Sequence, residues 1–374
     1  MTKILNGIDN TTAIHSILKG KHLGLITNPS GVNSRLESTA DLLHDHFNLQ
    51  VVFGPEHGIR GDYQAGVPTS FPDFDPELRV RSYSLYGKTL RPTPEMLDGI
   101  DMMVYDIQDV GARFYTYIYT LCYAMQACAE MNIPMTVLDR INPLGGTQIE
   151  GILLNPELHS FVGEYPIPTR YGLTVGEFAR YANDKFSFGC ELNIVPCLGM
   201  ERSKYYDASR LPWIMPSPNI PTLETAFAYI GTCIFEGTDI SEGRGTTHPF
   251  EIIGAPQLDA QKLAKSMNNM ELPGVIWRPV HFTPMFSKHA NELCHGIQIH
   301  ITDRRRFRPF TAGLLLYGEI QKQYPTMQAD IRVDRLLGDV SLRNGSEDIP
   351  SIIARAKNES AQFLKQIKEY WLYQ

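Results

Sequence analysis

The chain lacks the features of a nucleic-acid or membrane protein. Its formal net charge is -7, and a mildly acidic surface repels polyphosphate, so nucleic acid is not an expected partner. The one basic cluster, Arg304, Arg305 and Arg306, reads as a solvated edge or turn. No stretch approaches the ~20 apolar residues of a membrane span. The opening MTKILNGIDNTTAIHS lacks the apolar run of a signal peptide. A cytoplasmic location is therefore expected for the chain as written, the alternative being export with a leader removed. Six cysteines occur, at 122, 128, 190, 197, 233 and 294, with no CxxC pair among them. Free, packed thiols are expected. Also missing are a GxSxG elbow, a GxxxxGK[ST] loop, a GxGxxG after the first strand and an HExxH motif. His44 and His46 lie two apart on an expected helix and do not share a face, which argues against zinc. No metal and no cofactor is expected.

What is present is an ordinary globular composition, 43% hydrophobic and 20% charged, in 374 residues. That length suits one large domain plus a smaller one. The first 150 residues repeat a short apolar run, a glycine- or proline-rich loop and a helical stretch. The runs His22 to Thr27, Leu49 to Phe53, Asp101 to Tyr105 and Pro134 to Leu138 read as buried strands. Helical patterns cover Leu36 to Phe47 and Arg113 to Met131, and Thr93 with Pro94 reads as a helix start. Thr174 and Glu177 have capping-box spacing. Leu211 to Pro221 holds four prolines and reads as an extended loop. Alternating strand and helix predicts an α/β fold with a Rossmann-like, mostly parallel sheet. The last hundred residues instead suggest antiparallel strands at Gly274 to Phe282 and Gly296 to Thr302. Amphipathic helices are expected at Thr311 to Tyr324 and Pro350 to Tyr373. The expected division is a catalytic domain over 1–260 and a smaller α+β domain over 261–374.

In a parallel sheet the loops after the strands converge on one edge, where ligands bind. That places Asn28, Glu56, His57, Arg60, Asp106, Asp109, Arg113, Asp139, Arg140 and Asn142 along one rim. The loop FGPEHGIRG is the sharpest signal. Its glycines permit tight turns and Pro55 stiffens the approach to Glu56, which suits a general acid held in place. His57 is either a hydrogen-bonding support or a substrate contact. Asp109 is either a helix cap or a second carboxylate, and Tyr115 a cleft-wall or sugar-stacking ring. Tyr63, Tyr83, Tyr86, Tyr171 and Trp213 are further stacking candidates. The segment FEGTDISEGRGTTHPFE adds Glu236, Glu242 and Arg244, a guanidinium suited to an anionic substituent. Glycoside hydrolysis needs two carboxyl groups, and the surplus of acids meets that need without naming the pair.

The strings GLITNPSGV, VFGPEHGIRG, YDIQDVGARFYTYIYTL, DRINPLGG, YPIPTRYGLTVGE, PSPNIPTLETA and FEGTDISEGRGTTHPFE resemble the signature blocks of the exo-β-N-acetylmuramidase (NamZ-type) family, formerly a domain of unknown function. The resemblance runs from about Leu23 to the C-terminus. It implies release of terminal N-acetylmuramic acid from the non-reducing end of peptidoglycan fragments. It also implies a site between a Rossmann-like domain and a smaller one. Glu56 would be the catalytic acid, with Glu242 and Arg244 on the acidic and arginine positions of the SEGRGT block. Ile141 stands where the family pattern usually has proline. The rival readings are an ester or amide hydrolase acting through Ser30 or Ser241 with a nearby histidine, and a muropeptide-binding protein without turnover.

Overall fold

The computed structural model of the protein describes residues 4–64, 66–67 and 74–374. The runs rich in Val, Ile and Leu form the centre of a seven-stranded sheet. Its strands are β1 (His22–Thr27), β2 (Asn48–Gly54), β3 (Phe74–Asp75), β4 (Val80–Ser84), β5 (Met102–Asp106), β6 (Met135–Leu138) and β7 (Leu192–Val195). The order is β3-β4-β2-β1-β5-β6-β7, all parallel except the edge strand β3. This is the expected Rossmann-like arrangement. The chain first moves outward from β1 to β2 and β4, then returns to β5 on the other side of β1. The strand direction of travel thus switches beside β1, where doubly wound sheets open their ligand crevice.

Period-two alternation sends β1 side chains into two cores. Leu23 and Leu25 join Ile14, Leu18 and Leu43 on one face, while Ile26 joins the larger core on the other. The helices Thr39–His46, Tyr117–Glu130 and Val175–Lys185 provide the crossovers. The last begins with the expected capping box at Thr174 and Glu177. Two helix expectations change. Residues 94–99 make only turns, because Gly99 takes a left-handed conformation (φ 75°) before a second turn can close. The helix expected from Arg113 starts at Tyr117, because Arg113 N–H is spent on Thr169 O outside any helix.

A three-stranded antiparallel sheet forms the smaller unit, from β8 (Ile252–Ala255), β9 (Val275–Phe282) and β10 (Cys294–Ile301), in the order β8-β10-β9. The strand β8 lies before residue 260 and pairs with β10. The helices Leu223–Thr232 and Pro309–Gln323 pack together where Gly231 meets Gly313, and a Cβ on either would overlap the other chain segment's backbone. The two units are tied at several points. Arg113 donates to Leu336 O, Ser360 Oγ to Gly151 O, and Tyr373 OH to Asp139 Oδ2.

Candidate active site

Beyond the end of β2 the chain turns sharply. His57 and Gly58 are consecutive left-handed residues (φ 72° and 84°), and Gly58 N–H closes on Pro55 O. A histidine tolerates this conformation poorly compared with glycine, so the turn is held by its surroundings. The imidazole Nδ1–H donates to Tyr63 O at 2.8 Å. This turn holds Glu56 at the wall of a cavity of about 520 Å³, well within the size range of small-molecule sites. Thr116 Oγ1 donates to Glu56 Oε2 at 2.8 Å and Gly66 N–H to Oε1 at 3.1 Å. Tyr86, from the end of β4, stands beside the same carboxyl. Burial, then the charge of Glu56, push its phenol up to about 12. Among the described residues no cation pairs with Glu56.

The facing wall belongs to the smaller unit. Glu236 sits in the 3-10 turn after the helix Leu223–Thr232. Arg244 Nη2 donates to Glu236 Oε1 at 2.7 Å, and its Nε lies 3.3 Å from Glu242 Oε1. Burial pulls the guanidinium down, but the two glutamates outweigh it and leave Arg244 above its ordinary value. Its guanidinium carbon stands 5.0 Å from the centre of the Phe250 ring. Glu242 is buried, and its other oxygen accepts from Lys288 Nζ at 2.9 Å. That ammonium also donates to Phe235 O and Ile240 O, which uses all three of its protons. Glu242 is therefore held between two cations, whereas Glu236 has one ion-pair partner among the described residues and is partly exposed.

His57, Tyr115, Glu236, Glu242 and Arg244 line the cavity with Glu56. Burial lowers the His57 imidazole below its ordinary value, opposed by Glu56 and by the Tyr63 carbonyl, with Arg244 adding to the lowering. The sequence reading did not single out Thr116, Tyr117, Tyr229, Phe286, Lys288 or Arg332, which also line it. They come from helices and loops distant in the chain, and only the aromatic density of RFYTYIY hinted at Tyr117.

The other expected rim residues do not reach the cavity. Asp106 and Arg140 form a buried ion pair, Nε to Oδ1 at 2.5 Å and Nη2 to Oδ2 at 2.8 Å. Asp139 accepts from Tyr373 OH, Thr174 Oγ1 and Gly176 N–H, and burial pushes it up to about 6. Asp109 accepts from Gly111 N–H and the Tyr171 hydroxyl; burial, opposed by these bonds, pushes it up to about 6. Arg113 is fully buried and donates to Ile152 O, Ile167 O and Leu336 O. With no carboxylate in reach of those bonds, burial pushes its guanidinium down to about 10. Asn28 bridges Ser30 and Pro216 O, and Asn142 bridges Leu144 N–H and Leu173 O. Arg60 turns outward to Asp75 and Glu77. Most of these polar side chains are spent on the backbone of loops that leave buried strands or on buried partners of opposite charge.

No serine site forms at the two positions considered. Ser30 Oγ bonds Asn28 Oδ1 and Gln108 N–H, and Ser241 Oγ accepts from Gly243 N–H. Neither has a histidine partner among the described residues.

Family models for exo-beta-N-acetylmuramidase NamZ match this chain in two adjoining parts, the N-terminal model over residues 23–224 and the C-terminal model over 227–373. The chain belongs to the NamZ family. The seam between the two family models falls just before the wall that carries Glu236, so the cavity is built by both parts. Peptidoglycan beta-N-acetylmuramidase NamZ of Bacillus subtilis (strain 168) is 47% identical over 99% of this chain and 92% of its own length. A crystal structure of a DUF1343 family protein from Bacteroides fragilis NCTC 9343 superposes with a TM-score of 0.93 at 38% identity, covering 100% of both chains. A second protein of that family from the same organism has a TM-score of 0.82 at 30% identity, covering 100% of this chain and 99% of its own.

Proposed function

We propose that the protein is an exo-β-N-acetylmuramidase that releases terminal N-acetylmuramic acid from the non-reducing end of peptidoglycan-derived glycans. Family membership over nearly the whole chain supports the activity, and one feature of the cavity supports the chemistry. The feature is its polarity: Glu56 on the wall of the first unit has only neutral donors among the described residues, while Glu236 on the facing wall is ion-paired with Arg244.

Hydrolysis of a glycoside requires one carboxyl group that carries a proton to the leaving oxygen and a second that acts on the other side of the sugar. Protonating Glu236 or Glu242 would sacrifice an ion pair, and protonating Glu56 sacrifices none. Glu56 is therefore the acid. Thr116 and the Gly66 N–H fix its carboxyl, which is what a proton donor needs to meet its acceptor. Glu242 is saturated by Arg244 and Lys288 and serves to hold them. That leaves Glu236 as the second carboxylate. Arg244 Nη1 makes no hydrogen bond among the described residues, so it is available to the lactyl carboxylate that distinguishes muramic acid from N-acetylglucosamine.

The test is incubation with the disaccharide in which N-acetylmuramic acid is β-linked to N-acetylglucosamine, with the free sugars followed by mass spectrometry. The isomer with the sugars exchanged is run alongside. Cleavage of the first alone is expected. Cleavage of both, or binding without release, removes the reading.

A further inference from the structure

The cavity has a floor and a mouth, and burial separates them. His57 is 6% exposed, Tyr229 7%, Glu242 2% and Phe250 1%, whereas Phe286 in the same lining is 49% exposed. An exo-acting enzyme encloses the terminal sugar, so the sugar that leaves must extend through the mouth. Phe286 stands at that mouth.

The exposure of this ring does not reflect a loosely attached loop. Phe286 lies in the connection 283–293 between β9 and β10, and that connection is pinned along its length. Met285 N–H donates to Gly245 O at 2.9 Å. The backbone of Phe286 presses on Gly245 so closely that a Cβ there would overlap it. Lys288 reaches into the second wall through its three hydrogen bonds, and His289 donates to Asp239 O at 2.6 Å. Ser287, His289 and Asn291 all take positive φ (71°, 54° and 65°), a shape the loop keeps because those bonds hold it. Meanwhile no other aromatic ring packs on Phe286 among the described residues. Isolated exposed apolar groups are commonplace on proteins. A rigidly held, half-exposed ring at the mouth of a polar sugar cavity is a different matter, because one face of a pyranose is a row of C–H groups that gains by leaving water.

Resting on the glycosidase reading, we propose that Phe286 is the platform on which the leaving N-acetylglucosamine stacks, and so the residue that selects the aglycone. The contact belongs to a sugar that is lost in the reaction, which makes its effect depend on the leaving group. This is what the test exploits. The values of kcat/KM are measured for the wild type, Phe286→Ala and Phe286→Tyr on two substrates. One is the disaccharide. The other is the β-fluoride of N-acetylmuramic acid, whose leaving group is too small to reach the mouth. Phe286→Ala is expected to lose about five- to tenfold on the disaccharide, the scale of one apolar face withdrawn from water. It should match the wild type on the fluoride, and Phe286→Tyr should restore the disaccharide rate. An equal loss on both substrates, no loss on either, or a tyrosine variant as poor as alanine overturns the platform while leaving the glycosidase reading intact. A wild type inactive on both substrates refutes the glycosidase reading and the platform with it.

Discussion

Replacing Asp106 with asparagine distinguishes a supporting role for the acids at the strand ends from a catalytic one. Asp106 and Arg140 have side-chain exposures of 0% and 2%. The carboxylate takes two hydrogen bonds from the guanidinium and one from Thr39 Oγ1 at 2.5 Å. Asparagine retains the shape, but it turns one acceptor into a donor facing the guanidinium and leaves Arg140 without a counter-charge. Removing one partner of a buried pair costs ~3–5 kcal/mol. Unfolding entropy near ~2.1 cal/mol/K per residue, over 374 residues, comes to about 0.8 kcal/mol/K. The expected fall in Tm is therefore roughly 4–6 °C. Calorimetry measures it, and kcat on the disaccharide, taken well below the transition, should stay within about twofold of the wild type. Replacing both partners, Asp106→Leu with Arg140→Met, should recover much of the stability, because the desolvation of both charges is removed together. An unchanged Tm with a kcat reduced by about a hundredfold would refute the reasoning and place Asp106 against the substrate.

Other substitutions separate the remaining acids. Glu56→Gln should lower kcat by ~10²–10⁴ with KM little changed, as expected for loss of a general acid, and steady-state kinetics on the disaccharide would show it. Glu242→Gln should lower both Tm and rate, since it unbalances Arg244 and Lys288 in a buried site, while Glu236→Gln should lower the rate with a smaller fall in Tm, its ion pair being partly exposed; thermal melts beside rate assays distinguish them. Asp109 is raised from 3.8 to about 6, so the folded state holds its proton more tightly than the unfolded chain does. The wild type therefore loses stability as pH rises through that window, and Asp109→Asn should gain on it between those pH values and keep the gain above them. Urea denaturation of both proteins at the two ends of the window measures this, and a difference that stays flat counts against the buried carboxyl as its source.

The strands β1, β2, β5 and β6 were legible because parallel strands buried on both faces need unbroken Val, Ile and Leu. Those same runs end in glycine, proline or charged residues. The strands β4 and β7 were not, since VRSYS and LNIV sit near the sheet edges, where burial is partial and the pattern weak. β8 was not legible because IIGA is four residues long and pairs with a strand about forty residues later. At the site, the turn around Glu56 could be read from its glycines and proline. The sequence could not tell an acid that faces a cavity from one that faces an arginine. Asp106 and Glu236 look alike in a string of letters, and each pairs with a guanidinium. Only the position of the strand end relative to the second unit decides which pair stays open to a ligand. Lys288 and Phe286 were illegible for a related reason. The loop TPMFSKHANEL has no feature of its own until the Gly245 turn is placed beneath it.

The two acids assigned to the reaction stand on opposite banks of a seam. Glu56 rides on the sheet of one half and Glu236 on a helix end of the other. In glycosidases the gap between such acids determines whether the anomeric centre is kept or flipped. Here that gap is a dimension of the joint, whose fasteners include Arg113 on Leu336 O and Ser360 on Gly151 O. Stereochemistry in this architecture can drift through substitutions that never touch the sugar, and engineers seeking to alter it should begin at the joint.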